Sequence, residues 1–191
     1  MDKHDKKLPF ILTLGVVLID QLTKWLITVF IPMNGMGASF MGGFLRIIHA
    51  RNTAIAFSIG TSMAQGFKII FFSVIPLIIL GIIAVYLFKT DTLTRLQRWS
   101  ACGILGGGLG NLVDRIFRPL GVVDFIDVKF YGLFGLDRWP TFNVADAAIV
   151  VCGFLLVISF LGSKKNIIKK IKKIDLSVDT PALFVQLFYK Y

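Results

Sequence analysis

Apolar residues fall in four long runs along this chain of 191 residues, and charge is collected in the stretches between them. The first run, Leu8 to Ile31, is interrupted by Asp20, Gln21 and Lys24, whereas Ile69 to Phe88 gives 20 uncharged residues in a row. Trp99 to Val113 and Ala147 to Gly162 are shorter, with 15 and 16 uncharged residues. A helix needs roughly 20 residues to cross about 30 Å of hydrocarbon. The third run reaches that length only by taking in Asp114, and the fourth only by starting near Asn143. The pattern therefore predicts an all-α integral membrane protein with four transmembrane helices, over residues 8–31, 67–88, 97–117 and 143–162.

The connections differ in character. After Pro32 the chain passes through Asn, Gly and Met residues into FLRIIHARNTAIAFSIG, whose β-branched and aromatic content predicts short strands and a small extracytoplasmic sheet. The stretch from Phe117 to Phe142, with VKFYGLFGLDRWP inside it, predicts an interfacial segment containing a short amphipathic helix. Beyond Gly162, NIIKKIKKIDL places Ile167, Ile168, Ile171 and Ile174 at helical spacing with lysines opposite. That pattern suits an interfacial helix or a solvated basic tail. Residues 1–162 read as one membrane-embedded domain and 163–191 as a basic extension.

Composition fixes the class and charge fixes the orientation. Hydrophobic residues make up 55% of the chain, glutamate is absent, and the net charge is +10. The lysines cluster in flanks rather than along a surface interleaved with aromatics, which points to anionic lipid headgroups and against nucleic acid. Thirteen Lys and Arg residues lie in the N-terminal tail, the loop after the second run and the C-terminal tail, against seven in the alternate connections. The positive-inside rule then places both termini in the cytoplasm. The first run is too long and too charged for a cleaved leader. Cys102 and Cys152 lie inside apolar runs and read as small buried side chains.

Ionisable residues at membrane depth are costly, so they are usually paired or functional. Asp20 and Lys24 share a helix face and can neutralise each other. Asn111, Asp114 and Arg115 end the third helix, and Asn143 and Asp146 open the fourth, where a cap and a first-turn acid are favoured in any case. Because one helix ends and the next begins on the outer side, Asp114, Asp124 and Asp146 all lie near one interface, where two carboxylates can converge. Such a pair shares a proton and can hydrolyse a peptide bond by general acid–base chemistry without a covalent intermediate. With only His4 and His49 present, no H-E-x-x-H zinc site and no histidine-based triad can be written. No metal ion or other cofactor is expected. The run GGGLG is followed by no Lys-Ser/Thr and suits close helix packing better than phosphate binding.

Five blocks give the chain a family resemblance: DQLTK at 20–24, RNTAIAF at 51–57, GGGLGNLVDR at 106–115, VVDFI at 122–126 and FNVAD at 142–146. In this order they resemble the bacterial lipoprotein signal peptidases, or type II signal peptidases. The resemblance implies an intramembrane aspartyl endopeptidase of the bacterial inner membrane, with its active site on the extracytoplasmic side. It would cut diacylglyceryl-modified prolipoproteins before the lipidated cysteine. It also implies that Asp124 and Asp146 are catalytic and that Asp20, Lys24, Asn52, Asn111, Asp114, Arg115 and Asn143 support the site or position the substrate. Asp127 matches no core motif and reads as interfacial. Ala54 stands where the family usually has glycine, and GGG where it has GGA. Against this stand two other classes, an ion-coupled transporter relaying protons through Asp20, Asp114 and Asp146, and a noncatalytic scaffold. A relay needs ionisable groups through the whole membrane, and the second run has none; a scaffold leaves the pairing of Asp124 with Asp146 without a purpose.

Overall fold

A computed structural model of the chain describes residues 6–52 and 70–177, with side chains through Gly162. Helix α1 (Phe10–Phe30) is followed by strands β1 (Met36–Phe40) and β2 (Leu45–Asn52). A π-helical turn at Ile70–Val74 runs into α2 (Ile75–Lys89), and then come α3 (Arg95–Phe117), β3 (Val122–Val128) and α4 (Val144–Ser177). Among the described residues, three helices are long and apolar enough to cross a membrane: Phe10–Phe30, Ile70–Lys89 and Val144–Gly162. Helix α3 has the length but carries Arg95, Arg98, Asp114 and Arg115 within it.

The helices are inside out relative to a protein dissolved in water. Leu14, Leu18, Leu22, Trp25 and Val29 of α1 point outward, while Thr13, Asp20 and Lys24 are buried. Such a distribution fits a lipid surround, in which polar groups must be satisfied within the protein. Helix α3 is the buried centre, and its glycines let the neighbours in. A Cβ at Gly106 would come 2.8 Å from the Thr13 carbonyl of α1. At Gly107 it would strike the Ala145 carbonyl of α4, and at Gly108 the side chain of Leu80 on α2. Three successive residues thus face three different helices, the small-residue packing expected of the glycine run.

Both ends of α3 are secured. Thr94 and Gln97 form a reciprocal capping box at its start. One turn on, the fully buried Arg98 donates to the carbonyls of Leu87 and Thr90, completing the C-terminal end of α2. An ion pair between Lys6 and Asp91 brings the start of α1 to the same end of the bundle as the α2–α3 connection.

At the other end lies the small sheet, antiparallel and ordered β1-β2-β3. Its first two strands come from the connection where strands were predicted, although β1 begins earlier, in the Gly- and Met-rich stretch. The third strand corrects the expected amphipathic helix between Phe117 and Phe142. Those residues form β3 and a glycine-containing turn in which Gly132 adopts φ 80°, and Gly132, Gly135 and Pro140 would all interrupt a helix. Alternation along β3 puts Val123 and Phe125 on one face, packed with Ile27 and Ile31 at the end of α1. Asp124 consequently points the other way.

Candidate functional site

Asp124 on β3 and Asp146 in the first turn of α4 line one cavity of about 190 Å³, together with Asn52, Asn111, Arg115, Val122 and the segment from Trp139 to Phe142. Strand pairing sets Ala50 opposite Asp124. Two residues further along β2, Asn52 reaches back and donates its Nδ2 to Asp124 Oδ2 at 3.0 Å. Asn143 donates to the other oxygen, Oδ1, at 2.7 Å.

Asn143 also starts α4. Its Oδ1 accepts from the Asp146 N–H at 3.0 Å, and its own N–H donates to Asp146 Oδ2 at 3.2 Å. This is a capping box in which the returning acid is Asp146. Asn111 donates to Asp146 Oδ1 at 2.7 Å and accepts from the Asn143 side chain at 3.1 Å. The two carboxylates are therefore joined through two amides, in the order Asp124, Asn143, Asn111, Asp146.

A fully buried ion cluster underlies this chain. Lys24 Nζ lies 2.8 Å from Asp20 Oδ2, 3.0 Å from Asp114 Oδ2 and 3.0 Å from Asn111 Oδ1. Asp20 and Asp114 each grip a backbone amide next to a cavity aspartate. Asp20 Oδ1 accepts from Ala145 N at 3.0 Å, and Asp114 Oδ2 accepts from Val123 N at 3.0 Å. Lys24 thus ties together the two carboxylates that hold the main chain just before Asp124 and Asp146. Arg115 stands apart from this cluster. It faces the cavity, its guanidinium 6.0 Å from the centre of the Phe72 ring, and its charge acts on Asp146 and Asp124.

Burial pushes the Asp124 carboxyl up to about 6 from its ordinary 3.8, and the nearby charge of Asp146 adds to the rise. The hydrogen bonds from Asn52 and Asn143 oppose it, because both favour the ionised form. A carboxyl titrating there can exchange a proton close to neutral pH.

All nine residues singled out in the sequence lie at this end of the bundle, though not all in the roles their neighbours in sequence suggested. Asp114 pairs with Lys24 and with Arg118, whose Nη1 is 2.6 Å away, rather than with Arg115 beside it. Arg118 accordingly belongs to the brace. Asp127, read from the sequence as interfacial, is buried between Arg46 and Arg138. Gln21 donates to Asp114 Oδ1 and to the Gly110 carbonyl at 3.0 Å each; its position beside Asp20 in an apolar run was the available signal. Nothing in the sequence marks Trp139 to Phe142 as a cavity wall. The block RNTAIAF beyond Asn52, Ala54 included, and residues 67–69 of the second predicted span lie outside the described residues.

A model of the family described as signal peptidase (SPase) II matches residues 12–162. The lipoprotein signal peptidase of Treponema pallidum (strain Nichols) is 47% identical over 165 residues, covering 86% of this chain and 89% of the relative. That of Borrelia hermsii (strain HS1 / DAH) is 48% identical over 151 residues, covering 79% and 88%. Among solved structures, a bacterial membrane enzyme determined by the in meso method at 2.3 Å superposes with a TM-score of 0.70 at 29% identity, covering 83% of this chain and 90% of that one. With this agreement across nearly the whole described bundle, the chain belongs to the signal peptidase II family.

Proposed function

We propose that Asp124 and Asp146 are the catalytic pair with which this chain, a membrane aspartyl protease by family, removes signal peptides from lipoproteins. The observation that carries the assignment is the single cavity lined by both carboxylates and joined beneath by Asn143 and Asn111. In this mechanism the pair holds one proton between them. The ionised member draws a proton from water, which attacks the scissile carbonyl carbon, while the protonated member donates to the carbonyl oxygen. The tetrahedral diol then collapses: the carboxyl that took a proton from water gives it to the departing amine, the other recovers a proton from a diol hydroxyl, and no covalent enzyme intermediate forms. Arg115 supplies positive charge where negative charge develops. Asn52, Asn111 and Asn143 hold the carboxylates, and Asp20, Lys24 and Asp114 hold the backbone that bears them.

The substrate is a prolipoprotein already modified with diacylglycerol, cut before the lipidated cysteine, with the signal peptide lying in the bilayer as a helix. Four spans cross the bacterial inner membrane, α3 being the fourth of them despite its charges, because α1, α2 and α4 surround it. Both termini are cytoplasmic and the sheet and cavity extracytoplasmic, as the lysine and arginine distribution and the Lys6–Asp91 pair support. Residues up to 162 form the peptidase domain and those beyond it a basic cytoplasmic extension. Membrane lipids are its surroundings, and nucleic acid is no partner.

Cleavage of a diacylglyceryl-modified prolipoprotein by the purified enzyme in lipid tests this reading. Asp124→Asn and Asp146→Asn, assayed separately, should each lose at least about a thousandfold in kcat. Full activity in either folded variant overturns the pairing, and equal cleavage of unlipidated precursor overturns the substrate assignment.

A further inference from the structure

Asp127 lies three residues beyond Asp124 on β3, is 3% exposed, and faces away from the cavity. Both its oxygens are taken by guanidinium groups. Arg46 of β2 donates Nε and Nη2 to Oδ2 at 2.7 and 2.6 Å, and Arg138 donates Nε to Oδ1 at 2.6 Å. Arg138 reaches further, donating Nη1 to the Gly43 carbonyl in the β1–β2 turn and Nη2 to the main-chain carbonyl of Asp127, each at 3.2 Å. One buried anion thereby fastens β2, β3, the β1–β2 turn and the strand-like segment that begins at Arg138.

That segment continues directly into Trp139, Pro140, Thr141 and Phe142, which form one wall of the cavity. Its backbone is held at both ends: Trp139 N donates to the Val128 carbonyl at 2.9 Å, and Phe142 N donates to the Ile126 carbonyl at 3.0 Å while the Phe142 carbonyl accepts from Phe125 N and Ile126 N at 3.0 and 2.8 Å. Between them Pro140 has no N–H to give. Side-chain fastening at Arg138 therefore helps set where the wall stands, and its three donors, on Asp127 Oδ1, the Asp127 carbonyl and the Gly43 carbonyl, fix direction as well as distance.

We infer that the Arg46–Asp127–Arg138 cluster is a positioning device for substrate, which sets the approach of the Trp139–Phe142 wall to the peptide lying in the cavity. The inference rests on that cavity being the site of cleavage. None of the three side chains touches Asp124 or Asp146, so the device governs fit rather than chemistry. Charge gives it a particular signature. Removing Asp127 leaves two guanidinium groups facing each other without an anion, whereas removing Arg138 leaves the Arg46–Asp127 pair intact.

The test is steady-state kinetics on the full chain in lipid, with a diacylglyceryl-modified prolipoprotein as substrate. Arg138→Gln should raise KM about three- to tenfold with kcat within about twofold, and Asp127→Asn should raise KM further. Adding Arg46→Gln to Asp127→Asn relieves the repulsion and should recover part of the lost KM, which a general loss of structure would not. The pH at which the rate profile bends should be the same in all variants. If Asp127→Asn fails to fold, Arg138→Gln decides. Unchanged KM in folded Arg138→Gln, or a fall in kcat with KM constant, overturns the inference. Asp124→Asn run alongside separates the two readings: full cleavage by that variant removes the cavity as the site, whereas its inactivity with unchanged KM in Arg138→Gln removes the positioning role alone.

Discussion

At the scale of single residues, the pH behaviour of Asp124 is the most exposed consequence of the geometry. With a folded pKa near 6 against an ordinary 3.8, the protonated carboxyl stabilises the fold relative to the ionised one. That contribution is fully present below about pH 4 and is lost as pH rises through 6. The shift corresponds to about 3 kcal/mol. Melting temperature measured in detergent from pH 5 to 8 should therefore fall more steeply in the native chain than in Asp124→Asn, whose amide never ionises. A matching kinetic expectation concerns Asn52. Its hydrogen bond favours ionised Asp124, so Asn52→Ala should move the bend in kcat/KM to higher pH, and an unmoved or lowered bend would contradict the contact. Asp114, Asp124 and Asp146 all stood out in the sequence as carboxylates in an apolar chain, and the family resemblance is what singled out the last two. Asp127 was just as visible, but its partners lie 81 and 11 residues away, and its spacing from Asp124 says nothing about arginines that only the sheet brings near.

Among elements, α3 is where sequence and packing agree most closely, since a run of glycines in a span has few uses other than close approach. A Cβ at Gly110 would come 2.7 Å from Asp20 Oδ2, and one at Gly107 would strike the main chain of α4. Gly107→Ala should lower stability by about 1 to 3 kcal/mol, read as a lower Tm, because backbone rather than a flexible side chain must give way. Lys24→Met should be more damaging, by about 3 to 5 kcal/mol, since it leaves Asp20 and Asp114 buried without their shared cation. It should also depress kcat, because the amides of Val123 and Ala145 lose a fixed anchor; retained kcat in a folded variant would separate the brace from the chemistry. Strand β3 was the element least legible beforehand. VVDFIDV carries charge at two of its seven positions, and its partner strand lies some 70 residues earlier, so neither periodicity nor neighbours announced it. Gly132, Gly135 and Pro140 did argue against a helix in the segment after it, a local signal that the aromatic and charged composition obscured.

For the whole molecule, the proposed orientation makes a direct prediction for the two ends of the bundle. With Cys102 and Cys152 replaced by Ala, a cysteine introduced at Met41 in the β1–β2 turn should react with a membrane-impermeant maleimide in intact cells. One at Lys165 should react only after permeabilisation; the reverse pattern would invert the topology. Three of the four predicted spans were legible by apolar length, and α3 was the weak case for a physical reason: a helix surrounded by three others need not be apolar throughout. Helix α4 bears on the tail that the sequence left open between a membrane-surface helix and a solvated one. It runs unbroken for 34 residues from Val144 to Ser177, about 51 Å at 1.5 Å per residue, against some 30 Å of hydrocarbon. A rod that continues straight carries its far end roughly 20 Å past the bilayer core, more than twice the distance of about 8 Å over which salt at physiological strength lets a charged surface be felt. An unbent α4 therefore carries the backbone beyond Gly162 away from the bilayer surface rather than along it.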